Sequence, residues 1–370
     1  MSKTEILNDL KKMKEVDRND MLSFCVKAPE HYEKAARLAK VISINYPKPK
    51  TIIIAGMGGS AIGGELVKDW ARDKIAVPVE VCREYSLPAY ADKSTMVAVV
   101  SYSGETEETL SVFLDAIKRK CMMFGISSSG ALQEFAEKLS VPHLLVPSGM
   151  APRASLPYLF MPLPVLLEKA GFVSNVTSEI SDIVKSLKQI SDTNSPEKPL
   201  DRNFAKKLAS NISGTIPVVY GFEIYNAVAH RLKTQFNENS KVPAKWECFS
   251  ELDHNEIVGW EAANRLARHF SAIFIRDDSE SEAMRTRIEI TQELMRKKFS
   301  RIYEIKSIGK SQLAKMSSVI CTGDFTSVYL AIMRGIDPTP VKSIASLKEK
   351  LKRSGTKEKI INELQKIARK

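Results

Sequence analysis

The feature that most constrains the fold is an alternation. Short runs of consecutive apolar residues recur along the chain, and helical patterns fill the gaps between them. The first series is "TIIIAGMG" (51–58), "VPVEVCR" (77–83), "STMVAVVSYSG" (94–104), "KCMMFGISSSG" (120–130) and "VPHLLVPSG" (141–149). A strand that is apolar at every position is buried on both faces. Such strands alternating with helices predict a parallel sheet covered on both sides. A second series follows, "GTIPVVYGFE" (214–223), "KWECFSELDH" (245–254), "SAIFIRDD" (271–278) and "SRIYEIKSIG" (300–309). The predicted fold class is therefore α/β, with two parallel-sheet α/β/α units in tandem. Helices are expected at residues 1–45, linker and helices at 173–205, and C-terminal helices at 339–370, around units at 46–172 and 206–338. The segment "SLPYLFMPLPVLLEKAG" (155–171) reads as an apolar helix broken by prolines.

Composition narrows the functional classes. A hydrophobic fraction of 44% and a charged fraction of 27% in 370 residues are those of a globular protein of about two domains. No apolar run approaches the roughly 20 residues of a membrane span, and the N-terminus is too charged for a signal peptide. The five cysteines are scattered and unpaired in spacing, which predicts reduced thiols in a cytoplasmic protein. Zinc-type ligand spacing is absent, so no metal site is expected. The net charge of +11 is spread among acidic residues with no basic stripe carrying aromatics, which argues against nucleic acid. A lysine-rich solvated surface is the plain reading, and a positive field for small phosphorylated substrates the second.

Two loops carry the chemistry. In "AGMGGSAIGG" (55–64), a strand breaks into glycines and then a helix, an arrangement that cradles anionic oxygens. Gly56-Met-Gly58-Gly-Ser-Ala61 also fits a dinucleotide fingerprint, with Glu80 or Glu84 downstream for a ribose. The third strand ends in "SYSGETEET", which gathers Ser101, Ser103 and Thr106 around Gly104 where a helix begins. Three hydroxyls and the N–H groups of a helix start form a neutral, donor-rich cup for a phosphate monoester. A nicotinamide enzyme does not need this second cup, and Gly58, Gly59 and Ser60 complete the expected phosphate site. Ser127 to Ser129 read as a helix cap.

Six motifs in order then resemble one family: "GMGGSAIGG", "SYSGETEET", "APRASLPYL", "NENSK", "ELDHNEIVGWE" and "DPTPVKSIASLK". They are similar to those of the bifunctional phosphoglucose/phosphomannose isomerases, built from two sugar-isomerase (SIS) domains of flavodoxin-like topology. The resemblance spans about residues 50–350. It implies that hexose 6-phosphates are the substrates and that no cofactor is used. Such an isomerase needs a phosphate grip, a ring-opening acid/base, a base moving a proton between C2 and C1, and a cation at the enediolate.

The resemblance assigns the base to Glu238, the enediolate cation to Arg153 and ring opening to His254. It also implies a homodimer in which His254 is donated across the interface. Asp253 or Glu256 could orient that imidazole. A lysine assisting ring opening follows an "I-x-x-L" helix start, which selects Lys348 over Lys342. Tolerance of both C2 epimers is implied for a Thr in a "TP" pair, here Thr339, with two more residues before the Ile than the family's shortest form. A sugar-phosphate sensor would keep the phosphate loops without needing Glu238, His254 and Arg153. The zinc-dependent mannose phosphate isomerases use a different, all-β scaffold.

Overall fold

A computed structural model describes residues 4–263, 265–296, 298–299 and 301–369. The chain forms two compact units, one of His31–Ser178 and the segment from Val341 onward, the other of the residues up to Glu30 and Glu179–Pro340.

The first unit holds β1 (Thr51–Ala55), β2 (Val79–Cys82), β3 (Thr95–Val100), β4 (Met122–Ser127) and β5 (His143–Leu145). All pair parallel in the order β2-β1-β3-β4-β5. The inner strands β3 and β4 are buried at every residue, whereas the edge strands β2 and β5 are partly exposed. Continuous apolar runs thus mark the strands covered on both faces. Helix Gly59–Ala71 buries Leu66, Val67 and Trp70 completely. The proline-broken segment becomes two helices, Leu156–Phe160 and Pro162–Lys169. The chain returns to this unit at its end. Helix Thr356–Ala368 places Ile360 and Leu364 in one apolar cluster with Leu110, Phe113, Leu132 and Phe135.

The second unit holds β6 (Ile216–Phe222), β7 (Lys245–Phe249), β8 (Phe270–Arg276) and β9 (Ile302–Lys306), parallel in the order β7-β6-β8-β9. Its core helix corrects one sequence expectation. Gln312–Met333, 22 residues, is long and apolar enough by length and composition to cross a membrane, yet 94% of its most apolar window is buried inside the protein. Helices Phe204–Ile212 and Asn226–Glu238 pack on it. Several of its hydroxyls fold back onto the helix itself: Thr322 Oγ1 donates to the Ser318 carbonyl at 2.9 Å and Thr326 Oγ1 to the Thr322 carbonyl at 2.7 Å. Buried Lys206 donates to the carbonyls of Leu7, Pro196 and Lys198 at 2.5, 2.7 and 2.7 Å, pinning an N-terminal turn and the 196–198 turn to one helix. All five cysteines are free thiols.

Candidate active site

In the first sheet the strand order reverses direction at β1, which sits between β2 and β3. The crevice outside the carboxyl ends of β1 and β3 is therefore a topological switch point, where open α/β sheets bind ligands. The two strands end level, with Ala55 opposite Val99. The glycine loop and the hydroxyl loop thus emerge side by side.

Helix Gly59–Ala71 starts after Gly58, which has φ 51° and no side chain to offer as a cap. Helix Glu107–Lys118 starts after Thr106, whose hydroxyl makes no cap bond. Both helices thus present first-turn N–H groups without a side-chain cap to the same crevice, the arrangement that favours an anion. Ser60 and Ser101 are buried here, while Ser103 and Thr106 are half-buried. Ser60 Oγ accepts from the Tyr102 N–H at 3.2 Å, which joins the two loops. Ser101 Oγ donates to Thr106 Oγ1 at 3.2 Å, which closes the hydroxyl loop. Glu107 and Glu108 in the first turn add negative charge; Glu107 is engaged by the Tyr85 hydroxyl.

Arg153 comes to the same crevice from the loop after β5 and is 2% exposed. A Cβ on Gly59 would lie 2.9 Å from the Pro152 carbonyl oxygen and 3.5 Å from the Arg153 Cα, so only glycine lets the two backbones touch. Gly104, at φ 65°, is pressed against the Ser129 carbonyl in the same way. Gly58, Gly59, Ser60, Ser101, Ser103, Thr106 and Arg153 are therefore one cluster. Lys348 belongs to the same unit and is exposed on helix Lys342–Leu351, which Lys342 opens.

The serine turn 127–129 differs from the expected cap. Ser129 makes no side-chain cap bond to helix Gly130–Lys138. Glu105 Oε1 instead accepts from the Ala131 N–H at 2.8 Å, reaching over from the hydroxyl loop. Ser127 and Ser128 turn away from the helix start: Ser128 Oγ donates to the Tyr102 carbonyl at 2.7 Å, and Ser127 Oγ to the Ser129 carbonyl at 3.0 Å. His143 Nε2 lies 2.9 Å from Ser127 Oγ. Burial lowers the pKa of this half-buried imidazole. Glu80, one of the ribose candidates, accepts from the Tyr90 hydroxyl at 2.5 Å.

In the second unit, Glu238 is half-buried and ends helix Asn226–Glu238. Its flanking residues lock the helix end. Asn239 Nδ2 donates to Ser327 Oγ at 2.9 Å and Ser240 Oγ to the Ser327 carbonyl at 2.6 Å. Lys241 Nζ bridges the carbonyls of Glu238 and Pro338, each at 2.7 Å. That lysine brings Glu238 beside the turn holding Thr339, whose N–H donates to Asp337 Oδ1 at 2.9 Å. His254 is exposed at the end of the turn Glu251–His254 beyond β7. The two carboxylates expected to orient it are committed elsewhere. Asp253 accepts from Arg287 and Thr291 at 3.0 and 2.9 Å, while Glu256 accepts from Tyr220 at 2.9 Å and Lys245 at 2.5 Å. A flanking acid in sequence is not a partner when side chains of a neighbouring helix or strand claim it first.

Sequence reasoning passed over Tyr102 and Lys241, both inside quoted motifs. Their neighbours' hydroxyls and carboxylate drew attention because those groups carry recognisable chemistry. Side chains that tie loops together carry no such signature.

Comparison with known proteins bears on the family and the fold. The family described as bacterial phospho-glucose isomerase C-terminal SIS domain matches residues 201–351. A bifunctional phosphoglucose/phosphomannose isomerase of Caldicellulosiruptor bescii is 42% identical over 326 residues, 87% of this chain and 96% of that protein. One from Thermoplasma volcanium is 35% identical over 84% of this chain and 94% of its own length. Among solved structures, a hypothetical protein from Thermus thermophilus shares the fold with a TM-score of 0.71 at 14% identity, covering 92% of this chain and 94% of that one. With relatives this similar along nearly their whole length, the chain belongs to the bifunctional phosphoglucose/phosphomannose isomerase family and is an isomerase built on SIS-type α/β units.

Proposed function

We propose that the protein interconverts glucose 6-phosphate and mannose 6-phosphate with fructose 6-phosphate through a cis-enediolate, without a metal ion or other cofactor. The observation that carries this reading is the crevice of the first sheet. It joins buried hydroxyls, two helix starts without side-chain caps, and the Arg153 backbone against Gly59. A phosphate monoester there is held by neutral donors, and Arg153, on the adjoining loop, would offset charge that develops during reaction.

Ser60, Ser101, Ser103 and Thr106, with the backbone at Gly58 and Gly59, take the phosphate. Ring opening protonates the ring oxygen and deprotonates the anomeric hydroxyl, the work of His254 and Lys348. Glu238 then removes the C2 proton, which leaves negative charge on the enediolate oxygens and a neutral carboxylic acid on the protein. Arg153 offsets that charge, and the Glu238 carboxyl returns the proton to C1. Thr339, beside the Glu238 turn in the second unit, leaves room for either C2 epimer. The working form is a cytoplasmic homodimer in which His254 serves the partner's substrate.

Glu238→Gln tests the proton transfer. It keeps the shape and removes the base, so kcat is expected to fall at least about 1,000-fold, within the range for a lost general base. Binding of fructose 6-phosphate, followed by calorimetry, stays within about tenfold because uncharged Gln leaves the phosphate contacts intact. An active Glu238→Gln enzyme would remove Glu238 from the mechanism.

A further inference from the structure

Tyr102 is the residue on which the loops of the first sheet's carboxyl edge converge. It lies between two candidate phosphate ligands, Ser101 and Ser103, and is 7% exposed. Its backbone N–H donates to Ser60 Oγ at 3.2 Å, on the glycine loop. Its carbonyl accepts from the N–H of Ser128 at 2.9 Å and from Ser128 Oγ at 2.7 Å, on the loop after β4. Its side chain reaches the loop after β5: the hydroxyl donates to the Pro147 carbonyl at 3.0 Å and accepts from the Met150 N–H at 2.9 Å. One residue thus touches the three loops that surround the hydroxyl loop.

The side-chain contacts matter most. Residues 147–152 carry two prolines and Gly149 at φ 88°, with no helix or strand of their own. The Tyr102 hydroxyl closes this stretch at both ends of its bend, three residues before Arg153. Downstream, Arg153 leads into the turn where Ser155 Oγ donates to the Pro152 carbonyl at 2.7 Å. Burial pushes the phenol pKa above its ordinary value, against the opposing Met150 N–H, so the hydroxyl keeps the proton it donates to Pro147.

We propose that Tyr102 is a positioning residue that registers the Arg153 loop against the phosphate loop, so that a substrate seated by its phosphate meets an aligned guanidinium. The inference rests on the assignment of Arg153 to the enediolate. Tyr102 does not contact substrate; its hydroxyl acts through the loop carrying the cation. A misplacement of about 1 Å in such a group costs roughly 100-fold in rate while leaving ground-state binding little changed.

The test is a double-mutant cycle on the full chain, with Tyr102→Phe, Arg153→Lys and the pair, plus Arg153→Met as a reference. The readouts are kcat and KM with fructose 6-phosphate and competitive inhibition by inorganic phosphate. Tyr102→Phe keeps the buried ring and removes only the hydroxyl. The expected result is a kcat about tenfold lower, with KM and the phosphate inhibition constant within about threefold. In the Arg153→Lys background the same change costs less than about twofold, because the aligned fork it serves is gone. Equal losses in both backgrounds, or an effect on KM alone, overturn the positioning role even if overall folding is intact by thermal unfolding. An Arg153→Met enzyme with wild-type kcat overturns it by another route, since the assignment beneath it then fails whatever Tyr102→Phe does.

Discussion

The carboxyl edges of the two sheets have the same topology and opposite chemistry. At the first, strands end in glycines and hydroxyls, and the helices that follow β1 and β3 start without side-chain caps. At the second, a cleft of about 570 Å³ opens beside β8 and β9, lined by Asp277, Ser279, Ser307, Lys310 and Lys315 among others. Two of its lysines are engaged by carboxylates. Lys315 Nζ contacts Asp277 Oδ1 at 3.0 Å, and Lys306 contacts Asp278 at 2.6 Å. The start of helix Gln312–Met333 is filled by carboxylates: Asp182 accepts from the N–H groups of Lys310 and Ser311 at 2.8 and 2.6 Å, and Glu179 from that of Leu313 at 3.0 Å. An α/β edge becomes an anion site only where its own side chains leave the backbone donors open. At the helix that follows β9, those donors go to holding the fold together.

Removing the hydroxyls of the first edge should give the largest effect. On the proposed phosphate site, Ser101→Ala with Thr106→Ala would remove two bonds to a charged group, each worth about 1.5–3 kcal/mol. KM for fructose 6-phosphate is expected to rise about 100-fold or more, with a smaller loss in kcat, in steady-state assays. An unchanged KM would erase the contrast between the edges.

The matching change at the second edge should leave the substrate untouched. Asp277 accepts from Tyr225, Ser279 and Lys315 at 2.6–3.0 Å, so an amide in its place turns its NH2 toward a donor whichever way it flips. Asp277→Asn is expected to keep KM within about twofold and to cost about 1–3 kcal/mol of stability at neutral pH. Burial raises the Asp277 pKa, but the bonds from Tyr225, Ser279 and Lys315 outweigh it and hold the carboxyl below its ordinary value. A depressed folded pKa contributes stability that is present above the unfolded value, about 3.9, and lost as pH falls through the folded one. The difference in thermal midpoint between wild type and variant should therefore shrink below about pH 4. A raised KM would mean that this edge also serves the substrate.

Much of this was legible in the chain. Eight of the nine strands of the two sheets lie within the quoted runs and β8 starts one residue before its run, because strands of a covered sheet leave mainly apolar sequence. The two loops that meet at the first crevice were also legible, since glycines and hydroxyls at the ends of β1 and β3 stand out in the sequence. The buried helix Gln312–Met333 was harder, since its Ser and Thr residues look polar until their hydroxyls fold back on preceding carbonyls. The docking of Ile360 and Leu364 in the first unit was not legible, because an amphipathic stripe does not name the surface it will meet. The commitments of Asp253 and Glu256 were hidden likewise, being decided by Arg287, Thr291, Tyr220 and Lys245, residues remote from or across the sheet from them.

The most direct measurement is to incubate the full chain with fructose 6-phosphate in D2O with a metal chelator and follow the sugars by proton NMR. The account predicts chelator-resistant formation of both glucose 6-phosphate and mannose 6-phosphate, with deuterium entering at C2. Folded protein that yields neither sugar would contradict it.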